Sequence, residues 1–407
     1  MTPFKFTASI HPYLYIWICL FFMACQTDHT PATQNRSTMN SVDMSMQEPH
    51  MSGSHSLGRP MVDVDTRRPI DEISAMSLLM WDLADKRFIY GQDVIPYEID
   101  TPLFSDYTIK DRAIYVPPEG KVEIDEAGLL ILPYGSVTIK SFSYPHPNDP
   151  NDRYVIETRL MFLGERGWSA WPYVWNTEAS EAYLSVSGAI HKHNDLPFLE
   201  MGDTLTYVVP QRNQCIDCHE LKDGEQRLIT PIGIKLRNFS TTSFEENGII
   251  HTLIERGQLD AERVNDIMQR DRKQVIWKEI EEQGIEGLSA DEINLAARDY
   301  LDINCAHCHN PQGAEGVSSQ LFLHWNATDL FHLGVCKKPG SAGKGTFGFI
   351  YDIVPGKPEE SILWLRLDTE EIGSMMPDFG RSLRHQVGVD LIYKWIEQLE
   401  GSCEVDE

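Results

Sequence analysis

Short apolar and alternating segments follow one another from residue 71 to residue 212. Examples are RAIYVPP, GLLILPYGSVTIKSFSYP, RYVIETRLMFL, AYLSVSG and TLTYVVP, with Gly, Pro, Asn and Asp between them. Period-two alternation bounded by turn residues is typical of β-strands, so the pattern predicts a β-rich domain over 71–212. Trp168, Trp171 and Trp175 fall inside it. We expect them in the sheet core, with a ligand platform as the alternative.

After about residue 240 the spacing of apolar residues becomes that of helices. DAERVNDIMQRDRKQVIWKEIEEQ, LSADEINLAARDYLDIN and VGVDLIYKWIEQLEG repeat apolar residues every three or four positions. Ser289 and Glu292 form the pattern of a capping box, so the second of these helices is expected to begin there and to lead directly to Cys305. The predicted fold class is α+β and multidomain. A β-rich N-terminal domain precedes a mainly α-helical region divided into 213–284 and 285–407.

The first 70 residues predict export and a tether. YLYIWICLFFMA, at 13–24, is an apolar run that fits a signal peptide and is too short to span a bilayer comfortably. Residues 1–25 resemble a bacterial lipoprotein signal with Cys25 as the lipidated residue; an ordinary cleaved signal peptide is the alternative. Residues 26–70 are polar and lack an apolar period, which predicts a disordered tether. We therefore expect an exported protein in the periplasm or at the outer membrane, held by a lipid anchor.

Charge narrows the choice of partners. The chain has 61 acidic and 35 basic residues, for a net charge of −26. Nucleic acids and anionic lipid headgroups bind positive surfaces, so the composition argues against both. An acidic surface is compatible with docking to a basic protein, although its commoner role is to keep a protein soluble.

The eight cysteines divide into three groups. Cys19 and Cys25 belong to the N-terminal segment. Four form two CxxCH motifs, a first motif at 215–219 and a second at 305–309: Cys215, Cys218, Cys305 and Cys308. The remaining two, Cys336 and Cys403, are expected to pair as a disulfide in an oxidising compartment, with two free thiols as the alternative.

Three chemistries use paired cysteines at this spacing. A zinc ribbon separates its two CxxC pairs by ~15–20 residues and gives no reason for a histidine after each pair. A redox dithiol would open a helix within a βαβ pattern, whereas Cys305 follows a helix. Covalent haem accounts for every position, because two thiols one turn apart reach the two vinyl groups of one porphyrin and the next histidine faces its iron. The motifs therefore predict two haem c groups, with His219 and His309 as iron ligands.

A second iron ligand can be assigned for one haem only. GSMMPDFG is similar to the Met-Pro loop of class I cytochromes c, which presents a thioether to iron, and the likeness extends over 285–407. It implies Met376 as the ligand of the second haem, with Met375 as the alternative. His307, inside the second motif, is expected to point away from its haem. For the first haem a five-coordinate iron remains open, as do four residues: His191, His193, Met201 and His251.

Longer segments around the motifs form a recognisable set. They include YEIDTPLFSDYTIKDRAIYVPPEG, YVWNTEASEAYL, VPQRNQCIDCH, INCAHCHNPQGAEGVSSQLFLHW, YDIVPGKPEESILWLRL and MMPDFGRSLRHQVGVDLIYKWI. Together they resemble a family of exported bacterial di-haem c-type cytochromes of unassigned function, over nearly the whole chain after about residue 75. The resemblance implies a β-rich region before the haem motifs, haem residues in both motifs and at Met376, and a parallel β-helix repeat protein as a candidate partner.

The main functional prediction is a di-haem c-type cytochrome of the bacterial cell envelope. It would carry electrons between redox partner proteins, and no residue would act in acid–base catalysis. One rival hypothesis makes the first haem a reactive, peroxidase-like centre, because its second iron ligand is not evident. Another makes the β-rich domain a binding module for a surface partner, with the haems as its redox output.

Overall fold

The computed structural model describes residues 56–200, 202–223, 226–271, 275–313 and 320–403. The predicted signal segment with Cys25, most of the predicted tether, and Met201 lie outside these ranges. Ser54–Glu407 forms one compact unit. Within the described ranges, no helix is both long enough and apolar enough to cross a membrane.

Strands dominate the first half of the described chain. In chain order they are β1 (Leu79–Asp82), β2 (Arg87–Tyr90), β3 (Val94–Pro96), β4 (Ile109–Tyr115), β5 (Glu123–Ile124), β6 (Leu130–Ile131), β7 (Val137–His146), β8 (Asp149–Gly164), β9 (Gly167–Trp175), β10 (Ala182–Leu184), β11 (Ala189–His193), β12 (Leu205–Val209), β13 (Glu220–Asp223) and β14 (Gln226–Ile229). An antiparallel six-stranded sheet has the order β10-β9-β8-β7-β4-β3. The other strands form the pairs β1–β2, β5–β6, β11–β12 and β13–β14.

Helices dominate the second half. They are α1 (Cys215–His219), α2 (Ile249–Glu255), α3 (Ala261–Asp271), α4 (Trp277–Gln283), α5 (Ala290–Asn304), α6 (Ile362–Asp368) and α7 (Gln386–Glu397). Ser289 and Glu292 each accept a hydrogen bond from the backbone N–H of the other, so the predicted capping box begins α5. The predicted mixture of a β-rich N-terminal region and later helices is confirmed.

One face of the six-stranded sheet forms the first core. Ala113, Ile139, Leu160 and Trp171 stand opposite one another on β4, β7, β8 and β9, because side chains on paired strands share a face. They belong to a buried cluster that also contains Trp175 and side chains of the β1–β2 hairpin. Trp171 and Trp175 are 4% and 5% exposed, which confirms their assignment to the sheet core.

A second core crosses the predicted boundary at residue 212. Ile114 of β4 and the nearby Val116 pack in one buried cluster with Ile249 and Leu253 of α2 and Ile267 of α3. The β-rich and helical regions therefore share apolar packing across that position.

Close helix packing holds the end of α5, which leads into the second motif. Gly388 of α7 lies directly against Tyr300 of α5, and a Cβ at Gly388 would be 2.4 Å from the tyrosine ring. Farther along, the Trp395 indole donates a hydrogen bond of 3.0 Å to the Asn294 side chain. The absence of a side chain at Gly388 therefore sets how closely the two helices approach.

Ordered packing begins before residue 71, within the segment expected to be tether. Val62 and Val64 pack against the sheet core. The Asp65 carboxylate accepts hydrogen bonds from the Glu165 backbone and the Tyr134 hydroxyl. Two isolated valines are too few to produce an apolar period, so this anchoring had no signal in the sequence pattern.

Candidate functional site

The two CxxCH motifs lie side by side, although they are far apart in the sequence. The sulfur of Cys308 is 3.7 Å from the backbone carbonyl oxygen of Asp217, which lies inside the first motif. Just beyond the motifs, the Lys222 N–H donates a 2.8 Å hydrogen bond to the Gln312 carbonyl. The fold therefore brings the two predicted haem attachment sites into one region.

A cavity of about 420 Å³ opens beside both motifs. This volume falls within the ~300–1,000 Å³ typical of small-molecule and cofactor sites. Residues with predicted haem roles form part of its wall: Cys218, Cys305, Cys308, His309 and Met376. Apolar side chains form much of the remainder: Leu321, Leu323, Ile362, Leu363, Leu367 and Phe379. The cavity thus combines three thiols, the imidazoles of His307 and His309, and a thioether within a largely apolar lining.

The structure separates the two candidate methionines. Met376 lines the cavity together with His309. Met375 is not part of that lining, and its side chain is 6% exposed among surrounding protein atoms. The geometry therefore favours Met376 over Met375 as the thioether that shares a site with His309.

Arg381 holds the segment that carries Met376. Its guanidinium donates hydrogen bonds to the backbone carbonyl oxygens of Met376, Leu383, Arg366 and Thr369, at 2.9 to 3.2 Å. With an exposure of 8%, the guanidinium is almost fully buried. One side chain thus fastens the Met376 loop to the end of α6.

Asp106 ties the same loop to the β-rich region. Its carboxylate accepts hydrogen bonds from the Ser382 N–H and hydroxyl and from the Leu383 N–H, at 2.7 to 3.0 Å. Tyr144 of β7 in turn donates to the Asp106 carbonyl at 2.9 Å. Neither Arg381 nor Asp106 was predicted as a site residue, because isolated charged residues in loops carry no motif.

The motif histidines are held in the neutral form that binds metals. Burial lowers the pKa of His219 and of His309 to about 4 each. The His219 Nδ1 lies 2.8 Å from the Thr230 carbonyl oxygen, which can only accept, so Nδ1 donates and Nε2 keeps a free lone pair. A second hydrogen bond of this kind orients metal-binding histidines in proteins.

The motif cysteines have properties opposite to those of a redox dithiol. All four are free thiols, and burial raises the pKa of Cys305 and of Cys308 to about 12 each. Redox-active cysteines rely on a lowered pKa. Within the described ranges, no group of three or more His, Cys, Asp or Glu side chains is arranged to hold a bare metal ion.

The first motif packs against the six-stranded sheet, on the face opposite the first core. Cys215 clusters with Met161 of β8 and Ala170 of β9. The nearby charge of Arg159 acts on the pKa values of both Cys215 and Cys218. The sheet therefore forms one wall around the first motif.

His307, inside the second motif, lies on the wall of the cavity. It also contributes to lowering the pKa values of both His219 and His309. The expectation that it points away from its haem stays a prediction.

The candidate second iron ligands of the predicted first haem lie in different places. His191 and His193 project from β11, and their Nε2 atoms are buried without a hydrogen-bond partner. The charge of Glu157 acts on the pKa of His191 and also on that of Cys215, which places His191 on the side of the first motif. His251 lies on α2, with its Nδ1 3.6 Å from the Glu255 carboxylate.

The C-terminus is joined back to the helical region. Cys336 and Cys403 lie at disulfide distance, with sulfur atoms 2.11 Å apart and Cα atoms 5.2 Å apart, as the sequence predicts.

Comparisons with known proteins identify no relative. No protein-family model, curated protein or solved structure matches this chain, so the site itself is the basis for any proposal of function.

Proposed function

We propose that this chain is a di-haem c-type cytochrome that transfers electrons through two covalently bound haems. The observation that carries the proposal is the convergence of both CxxCH motifs on one region, with His309 and Met376 lining a common cavity. Isolated CxxCH matches occur by chance. Here two CxxCH motifs meet in three dimensions, and the second shares a cavity with the Met376 thioether. This arrangement is difficult to explain unless both motifs bind the same kind of cofactor.

The residues present fit haem c. At the second motif, Cys305 and Cys308 offer the attachment thiols, while His309 and Met376 offer axial nitrogen and sulfur ligands. At the first motif, the Thr230 carbonyl fixes the His219 tautomer that leaves Nε2 for iron. When bound, each haem supplies an iron that changes between ferric and ferrous states.

The chain's own residues would set how readily each site accepts an electron. A thioether ligand such as Met376 favours ferrous iron, so the second site should have a raised reduction potential. The motif cysteines and histidines are half-buried or buried, which would limit the access of solvent to haem attached there and so the reorganisation on electron transfer. The approach of Cys308 to Asp217 brings the two CxxCH segments into contact, which supports electron exchange between haems attached to them.

Counting covalent haem tests this proposal. The protein, produced in cells with a c-type cytochrome maturation system, should carry two haems by pyridine haemochrome assay and intact mass. Replacing both cysteines of either motif by alanine should remove one haem. A Cys336→Ser variant is the matched control and should keep both. Wild-type protein without covalent haem would contradict the proposal.

The assignment of Met376 has its own spectroscopic test. Met376→Ala should abolish the thioether-to-iron charge-transfer band and lower one midpoint potential, whereas Met375→Leu should preserve both. The same samples, examined by EPR with and without cyanide, address the rival enzyme hypothesis. A high-spin haem that binds cyanide in the wild-type protein would favour a reactive first haem over a pure carrier.

We further propose that the protein is exported and anchored by lipid at Cys25, and that it exchanges electrons with other envelope proteins. The apolar N-terminal run and its cysteine support the anchor. A parallel β-helix repeat protein is one candidate partner, on the family resemblance alone. Membrane fractionation of a Cys25→Ser variant tests the anchor, because loss of lipid should release the protein from the membrane fraction.

A further inference from the structure

A row of basic side chains crosses the six-stranded sheet. Arg112 on β4 stands opposite Lys140 on β7, and Lys140 stands opposite Arg159 on β8. Lys110 lies two residues before Arg112 on β4 and therefore shares its face. We call these four residues the cationic row. Like charges directly opposite on paired strands destabilise a sheet, so the arrangement calls for a compensating group.

The protein itself provides one carboxylate at ion-pair distance. Glu157 is fully buried and binds the Arg159 guanidinium at 2.6 and 2.9 Å. Its carboxylate also accepts a 2.6 Å hydrogen bond from the Tyr207 hydroxyl. Among the described residues, no acidic side chain lies within ion-pair distance of the other three members of the row.

The hydrogen bonds and ring contacts of those three members are all with neutral groups, although Lys110 and Arg112 line a polar cavity that also contains Glu98 and Glu281. Lys110 Nζ donates to the Thr108 carbonyl at 2.9 Å, and Arg112 Nη1 donates to the Lys110 carbonyl at 3.1 Å. Arg112 Nη2 is buried without a hydrogen-bond partner. Lys140 Nζ lies 5.1 Å from the centre of the Phe142 ring. Arg112 is buried, and Lys110 and Lys140 are half-buried. Cations removed from water in this way are costly unless an anion joins them.

The pKa values of the two lysines indicate the same shortage of negative charge near the cationic row. Burial, reinforced by the charge of Arg112, lowers the pKa of Lys110 to about 7. Burial and neighbouring cations also lower the pKa of Lys140 well below its usual value. More distant carboxylates act on the row, Glu281 on Lys110 and Asp111 on Arg112, without reversing these shifts.

The row faces the first motif. Met161, which packs against Cys215, lies two residues after Arg159 on β8 and so shares the face of the row. The charges of Lys140 and Arg159 act on the pKa of His219 as well as on that of Cys218. From Arg159 to Arg112 the row spans two strand spacings, or roughly 10 Å, leading away from the cysteines.

We propose that the cationic row binds the two propionate carboxylates of the haem attached at the first motif. This inference rests on the proposed function. A haem fixed by its vinyl edge to Cys215 and Cys218 presents its carboxylates at the opposite edge, and the row supplies unpaired cations in that direction. Carboxylates in this position would satisfy the buried Arg112 donor and neutralise Lys140 and Lys110.

The test is the midpoint potential of each haem in a Lys140→Met variant. Loss of a cation beside the propionates stabilises the more positive ferric state, so one of the two potentials should shift downward while the other stays constant. Lys192→Met is the matched control, because Lys192 is exposed on β11, and it should shift neither potential. Should Lys140→Met fail to accumulate, Lys110→Met at the far end of the row gives the same comparison.

Three outcomes overturn the inference. Two attached haems with potentials equal to those of Lys192→Met would show that the row does not face a propionate. If sulfate or nitrite shifted the haem spectrum of the wild type but not of Lys140→Met, the row would bind a free oxyanion instead. Wild-type protein without haem at the first motif would overturn the proposed function itself, and the haem count identifies that case separately.

Discussion

Replacing Arg381 tests whether tertiary contacts position the Met376 thioether. Arg381→Leu removes a guanidinium that bonds four backbone carbonyls, including that of Met376 itself. A charge-assisted hydrogen bond contributes ~1.5–3 kcal/mol. Two effects make the free energy lost smaller than the sum over these hydrogen bonds. The Arg366 carbonyl also accepts the Met376 N–H, and the buried guanidinium has lost its hydration.

The net expected loss is on the order of 3 kcal/mol, about half of the ~6 kcal/mol that four such bonds would contribute at the lower end of that range. The shift in Tm is ~2–4 °C per kcal/mol for domains of 150–250 residues and smaller for a larger unit, so Tm should fall by at most about 6 °C. The loosened loop should also weaken the thioether-to-iron band while both haems remain attached. Differential scanning calorimetry and optical spectra of the holoprotein measure the two effects.

Arg384→Leu is the matched control. Arg384 lies three residues farther along the same segment, where its side chain is 44% exposed and pairs with Asp368 at 2.8 Å. A surface pair contributes ~0–1 kcal/mol, so this variant should keep its Tm and its spectrum. If Arg381→Leu behaves like Arg384→Leu, the clamp does not position Met376, and the loop conformation must come from its own backbone.

Two further predictions concern stability. Cys403→Ser opens the loop closed with Cys336, a sequence separation of 67 residues, and should cost on the order of 4 kcal/mol in the chain-entropy model, seen as a lower Tm. Gly388→Ala should cost about 1–3 kcal/mol in urea denaturation, because the added Cβ would lie 2.4 Å from the Tyr300 ring where α5 and α7 pack.

The Cys403→Ser and Gly388→Ala predictions each have a direct control. Treating the wild type with a reductant should lower its Tm to that of Cys403→Ser, and an unchanged Tm under reduction would argue against the disulfide. Gly58→Ala adds the same methyl group where no other atom lies within 4 Å, so its urea midpoint should not move. Equal shifts at Gly58 and Gly388 would refute the packing argument.

Local patterns in the sequence predicted much of the architecture. The change from period-two to helical spacing located the β-rich half and the helices, and Ser289 with Glu292 located the start of α5. The CxxCH motifs and the Cys336–Cys403 pair could also be identified from the sequence. Each of these features is encoded by residues within a few positions of one another, or by residue counting, so no long-range information was needed.

Those local patterns did not predict contacts between distant segments of the chain. The sequence favoured Met376 over Met375 only through the likeness to a Met-Pro loop, because adjacent residues share most local signals, whereas the cavity separates the two side chains. Nor did the sequence indicate that His307 lines the same cavity. The anchoring of Val62 and Val64 escaped detection for the same reason.

The sequence by itself thus determined the element types and the chemistry that each motif can offer. Only the tertiary structure decided that the two motifs meet, and that Arg112, Lys140 and Arg159 align toward the first of them. Helix and strand propensities act over a few residues. Strand register and motif contact are set by packing across the whole unit, where a shift of one residue would turn the cationic row to the opposite face of the sheet.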